Sequence, residues 1–110
     1  MNGYSGVDFS DQELSREQLL TATRALWNEG VTTYYPTVIT RDQERLEKSF
    51  SLLSGTLDDE LMGKSIPGFH LEGPYLSPVK GFRGAHPEEH IRLPDWEEFS
   101  ALQAAAQGGI

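Results

Sequence analysis

His70 and Glu72 stand two residues apart in the run Gly68-Phe-His-Leu-Glu-Gly-Pro-Tyr-Leu76. On an extended strand that spacing turns both side chains to one face. An imidazole and a carboxylate presented together suit a divalent ion such as Zn²⁺. Gly73 and Pro74 follow at once and turn the chain, which holds the carboxylate at the rim of its strand. A buried glutamate is costly unless it is paired or bound to a cation. A salt-bridged glutamate beside a histidine hydrogen-bonded within the core accounts for the same residues equally well. The chain has no cysteine, so a metal would be held by nitrogen and oxygen donors alone.

The elements that must position this pair alternate in type. Residues 16–28 read as a helix, with Ser15 as cap and Gln18 completing a capping box. Leu19, Ala22 and Leu26, with Leu20 and Trp27, form its apolar side, and Gly30 suits the left-handed position that ends it. The β-branched and aromatic residues 31–35 predict a strand stopped by Pro36. Thr40 offers a second cap, and Leu46, Phe50, Leu53 and Leu57 make one stripe of a second helix. Residues 65–72 predict the next strand, made irregular at its start by Pro67. A loop rich in Gly and Pro follows to about residue 93, then a helix over residues 94–106, closed by Gly108-Gly109. Trp27 and Trp96 fall on helices, where core packing is the expectation.

Strands alternating with helices imply an α/β chain with a parallel sheet. Two full strands in 110 residues fall well short of a closed (β/α)8 barrel of about 250 residues. The expectation is a partial TIM-type barrel, roughly its first three βα units, with residues 1–110 as a fragment of a single barrel domain. In such a fold functional groups gather where strands end. Three places fit: residues 1–9, residues 35–37 and residues 68–76.

The formal charge is −8, from 9 basic and 17 acidic residues, and no basic run occurs. A phosphate backbone needs clustered Lys and Arg, so no nucleic-acid partner is expected. No apolar run approaches a membrane span and no basic-then-apolar leader is present, so the expectation is a cytoplasmic protein with no membrane partner.

The stretch Gly68-Phe-His-Leu-Glu-Gly-Pro-Tyr-Leu-Ser77, followed by Lys80-Gly-Phe-Arg-Gly-Ala-His-Pro87, resembles the HLEGP and GAH signatures of the N-acetylglucosamine-6-phosphate deacetylases of the amidohydrolase superfamily. Asn2-Gly3 with Gly6-Val-Asp-Phe9 resembles the segment after that family's first barrel strand, and residues 30–40 resemble its second strand and exit. The resemblance covers the chain from end to end. It implies metal-dependent hydrolysis of N-acetylglucosamine 6-phosphate to glucosamine 6-phosphate and acetate by a homo-oligomeric parent, with a divalent metal ion, zinc by preference. It implies that Glu72 is a metal ligand and that Ala85 and His86 contact the amino sugar. His70 would orient Glu72 from behind. Asn2 matches the second His of a metal-binding pair in other amidohydrolases, and asparagine there resembles the subgroup that works with one ion. No catalytic residue is implied in this chain, because the family's two metal-binding histidines and its aspartate lie on later strands. The fragment alone is therefore expected to be inactive, and with open strand edges it is expected to aggregate or stay molten.

Two other readings compete. A barrel glycoside hydrolase would use Glu72 with a second acid at a strand end, for which Asp8 is the candidate. A non-catalytic α/β binding module would have no need of the GAH loop. Lys80 and Arg83 are read as ordinary loop charges, His90 as a surface residue, and Tyr4 and Tyr75 as possible pocket walls by position.

Overall fold

The structure, a computed structural model, describes residues 1–110. It opens with an antiparallel hairpin, β1 (Gly3–Tyr4) and β2 (Val7–Asp8), with Gly3 opposite Asp8 and Tyr4 opposite Val7. Its two turn residues, Ser5 and Gly6, both have positive φ, the geometry that lets a two-residue turn match the twist of its strands. Helix α1 (Arg16–Asn28) then begins at the expected capping box: the Ser15 side chain accepts from the Gln18 amide, and Gln18 returns a bond to the Ser15 amide. Leu19, Ala22, Thr23 and Leu26 form its buried stripe.

Residues 31–35 correct the sequence reading, because they form no strand. The Val31 amide closes the end of α1 on the Leu26 carbonyl, so it is not free for a ladder. Tyr34 reaches across, donating its amide to Ser65 O, while its hydroxyl meets Thr23 Oγ1 at 2.8 Å, and the Tyr35 carbonyl accepts from the Met1 amino group. The strand comes later, as β3 (Thr37–Ile39), beyond Pro36. The strand expected over residues 65–72 is likewise reduced to β4 (His70–Glu72). These two pair in parallel, Thr37 with His70, Val38 with Leu71 and Ile39 with Glu72.

Backbone bonds continue on both sides of this ladder. Thr37 N donates to Met1 O on one edge, and Phe69 N donates to Gly109 O on the other. Four chain segments therefore lie side by side, with Met1, β3, β4 and Gly109 in that order.

Helix α2 (Gln43–Ser54) is capped by Asp42, not by Thr40, and ends at Gly55, so Leu57 lies outside it. Helix α3 (Trp96–Ala105) is capped by Asp95, whose side chain accepts from the Glu98 amide, while Glu97 and Glu98 occupy the first turn where the helix dipole favours them. Ala106 caps its far end, and Gln107 and Gly108 follow with positive φ. Phe9, Leu19, Leu26, Val38, Phe50, Leu53, Met62, Ile66 and Leu102 belong to one contiguous buried cluster. Trp27 is half-buried, its indole N–H donating to Ser65 Oγ. Trp96 departs from the core packing expected of it and is 77% exposed. It is the first residue of α3, at the open end of the helix, and its ring lies tilted by 32° against Phe99 with ring centroids 5.5 Å apart. No helix is long and apolar enough to cross a membrane.

Candidate functional site

Glu72 is the last residue of β4, where a parallel strand hands the chain to a loop. Its carboxylate is 37% exposed and receives two neighbours from distant parts of the chain. Asn2 Nδ2 donates to Oε2 at 2.8 Å, and His86 Nε2 lies 3.4 Å from Oε1. The Asn2 hydrogen bond, followed by the nearby His86 and His70 imidazoles, holds this carboxyl below the usual glutamate range. Glu72 is thus an ionised oxygen donor at a strand mouth. Neither of its contacts is a fixed cationic fork.

The register of β3 against β4 explains why these groups meet. Ile39 pairs with Glu72, so the next residue, Thr40, sits beside the turn that leaves β4. Thr40 is fully buried. Its Oγ1 lies 3.2 Å from the Glu72 carbonyl oxygen and 2.8 Å from His86 Nδ1. Gly73 has φ +85°, and a Cβ there would stand 1.9 Å from that hydroxyl, so only glycine fits. His86 is half-buried. The loop carrying it is held from the other side, where Arg83 Nη1 donates to His86 O at 3.0 Å and Nη2 pairs with Glu88 at 3.2 Å.

No family model matches the chain. The human N-acetylglucosamine-6-phosphate deacetylase is 38% identical over 109 residues, which are 94% of this chain and 25% of that protein. An N-acetylgalactosamine-6-phosphate deacetylase from a Shewanella species is 36% identical over 84% of the chain and 22% of its own length. Among solved structures, N-acetyl-D-glucosamine-6-phosphate deacetylase from Mycobacterium smegmatis superposes on the whole chain with a TM-score of 0.84 at 28% identity, using 29% of its own length. The chain is a homologue of the N-acetylglucosamine-6-phosphate deacetylases. It spans about a quarter of the length of the curated relatives it matches.

The residues named from sequence fall into two groups. Asn2, Glu72 and His86 come together at one point. His70 is exposed and points its Nδ1 at Thr37 Oγ1, 3.4 Å away; it shares the face of Glu72 but makes no hydrogen bond to it. The hydrogen bond to the Glu72 carboxylate comes from Asn2. Ala85 is exposed beside His86. Tyr75 lines an open depression of about 520 Å³ with His70 and Glu72, and Tyr4 lines another with Asn2 and Asp8. The Asp8 carboxylate accepts from the Ser10 amide within its own turn, which gives the glycosidase reading no support.

No group of three His, Asp or Glu side chains converges to hold a metal. Sequence reasoning missed Thr40 and Arg83 as the residues that fix His86. Thr40 was read as a helix cap because its position before a helix suits one, and only the β3–β4 register reveals its other use. Arg83 is three residues before His86, a spacing that could have suggested a local contact.

Proposed function

We propose that the chain is the N-terminal part of a (β/α)8 amidohydrolase barrel whose whole protein hydrolyses N-acetylglucosamine 6-phosphate to glucosamine 6-phosphate and acetate. The observation that carries this reading is the meeting of Glu72, Asn2 and His86 from three separate segments at the mouth of parallel strands, in a chain homologous to deacetylases along its length. The order of the side-by-side segments Met1, β3, β4 and Gly109 supports the start of a barrel wall.

The donor set fits a divalent ion in part. Glu72 is ionised and half-open to solvent, so it can serve as one oxygen ligand, with zinc the preferred ion. The remaining ligands would come from outside this chain. A divalent ion at such a site supplies Lewis-acid activation of water and of the amide carbonyl. Asn2 holds one carboxylate oxygen of Glu72 and sets its plane. His86 presents Nε2 toward the mouth, where it can bond to the substrate, and Ala85, with no side-chain atom beyond Cβ, leaves room for a sugar ring. Arg83 is engaged by Glu88 and His86 O, so it is not assigned to the sugar phosphate. That the whole protein is a homo-oligomer rests on the family resemblance alone.

A second substrate is favoured by a specific observation. The Shewanella relative is named for N-acetylgalactosamine 6-phosphate, which differs only in configuration at C4. The test is acetate release by the full-length protein carrying this chain, with zinc, from each sugar phosphate. Glu72→Gln keeps the shape and removes the charge. It is expected to lower kcat/KM at least a hundred-fold and to reduce bound zinc, while the isolated 110-residue chain releases no acetate. Full activity and metal content in Glu72→Gln would sink the proposal.

A further inference from the structure

The structure assigns Thr40 as a positioning residue for His86: its buried hydroxyl ties down Nδ1, so that Nε2 is the nitrogen turned toward Glu72 and the open mouth. This inference rests on the deacetylase reading for its catalytic consequence, but the contact itself stands on geometry.

Three observations converge on the hydroxyl. Thr40 is fully buried, so the group has no water to satisfy it and must bond within the protein. Its two partners are the Glu72 carbonyl oxygen at 3.2 Å and His86 Nδ1 at 2.8 Å. A hydroxyl has one proton and two lone pairs, and a carbonyl oxygen can only accept. One arrangement therefore satisfies both contacts together: Thr40 donates to Glu72 O and accepts from His86 Nδ1–H, and Nε2, 3.4 Å from the Glu72 carboxylate, is attracted to it when it too carries a proton, as in the imidazolium. Which ring nitrogen of a histidine is free for chemistry is set by the bond the other one makes. The absent side chain at Gly73 is what admits the hydroxyl, since a Cβ would lie 1.9 Å from it. Arg83 holds the backbone of the same residue through its carbonyl. His86 is thus clamped at ring and main chain by groups that do not themselves face the mouth. The Thr40 link also binds the ring to the main chain of Glu72, so the two mouth residues keep a constant separation.

Thr40→Val preserves shape and removes the hydroxyl, and Thr40→Ser restores the hydroxyl without the methyl. In the full-length protein Thr40→Val is expected to lower kcat by about ten- to a hundred-fold, the usual cost of losing an outer hydrogen-bond partner. Thr40→Ser should recover most of that loss. In a His86→Ala background Thr40→Val should cost less than about three-fold further, because its route of action has been removed. A second reading does not depend on turnover. The ¹⁵N and ¹H shifts of the His86 ring should report a hydrogen-bonded Nδ1–H in the native protein and in Thr40→Ser, and lose it in Thr40→Val. Equal losses from Thr40→Val with and without His86, or unchanged ring shifts, overturn the assignment. A native protein without deacetylase activity but with the expected ring shifts overturns the function and leaves the Thr40–His86 contact standing.

Discussion

Two carboxylates in this chain meet basic partners across the same long loop, and they are built to opposite ends. Glu98, on α3, is 8% exposed and receives Arg92 as a fork: Nε lies 2.9 Å from Oε2 and 3.0 Å from Oε1, with Nη2 closer still to Oε1. The same guanidinium donates to Arg41 O and His90 O. Glu72, at the other end of the loop, is more than a third exposed and has only an amide and an imidazole nearby. Arg92 thus spends its donors on one carboxylate and two carbonyls, which locks α3 and the loop base to the start of α2. Glu72 keeps lone pairs that no fixed cation claims. A joint needs the first arrangement, and a ligand site needs the second, since a carboxylate saturated by a guanidinium has nothing left to offer an ion.

Breaking the joint gives the largest effect. Arg92→Ala strands a buried Glu98 without its cation and frees two main-chain oxygens. Removing one partner of such a pair costs on the order of 3–5 kcal/mol. The full-length protein should melt well below the native form, and Arg92→Lys should rescue it poorly because an ammonium cannot reproduce the fork. In the metal-free protein Glu72→Gln, by contrast, should leave the melting temperature almost unchanged. If both variants melt alike, the division between joint and site fails.

The next effect falls on the mouth. Gly73→Ala forces a side chain into a left-handed backbone and onto a buried hydroxyl. The backbone strain and the clash together should cost about 3 kcal/mol. Gly84→Ala also has positive φ, but nothing lies within 4 Å of its Cβ, so it should cost only about 1 kcal/mol. Unfolding curves of the two variants separate the clash from the strain. Equal curves would mean that the close approach of Thr40 to Gly73 carries no weight.

The sequence was most legible where local chemistry decides structure. The capping box at Ser15 and Gln18 and the stripe of α1 are short-range signals, and each appears where expected. Residues 31–35 have strand composition, yet the C-terminal carbonyls of α1 claim the Val31 amide first, a competition that no propensity registers. Trp96 was expected inside because it falls on a helix. Its place in the first turn of α3 decides otherwise. At the site, Glu72 and His86 were legible as motif residues and Asn2 by resemblance. Thr40 was not, since its role depends on which strand lies beside which and in what register. The Arg92–Glu98 fork was also invisible, although its six-residue spacing is short, because the intervening turn into α3 has to be built before the two can face.

The smallest effect concerns the charge on Glu72 and separates the two carboxylates most finely. In the metal-free protein its pKa lies below the ordinary ~4.3 of a glutamate, chiefly through the Asn2 amide. A depressed carboxyl stabilises the fold above its unfolded pKa, and that contribution is lost as the pH falls through the folded value. The window therefore lies at and below about pH 4. Its size is small, because a carboxylate this exposed is screened by water. Asn2→Ala removes the largest cause, so the Glu72 midpoint, followed by carboxyl ¹³C shifts in the presence of a chelator, should rise toward the ordinary value. The melting temperature at neutral pH should barely move. The Arg92–Glu98 joint should be indifferent to this substitution, since no contact links it to Asn2. A Glu72 midpoint unmoved by Asn2→Ala would mean that the imidazoles, not the amide, hold the charge in place. His86→Ala would then have to raise that midpoint instead.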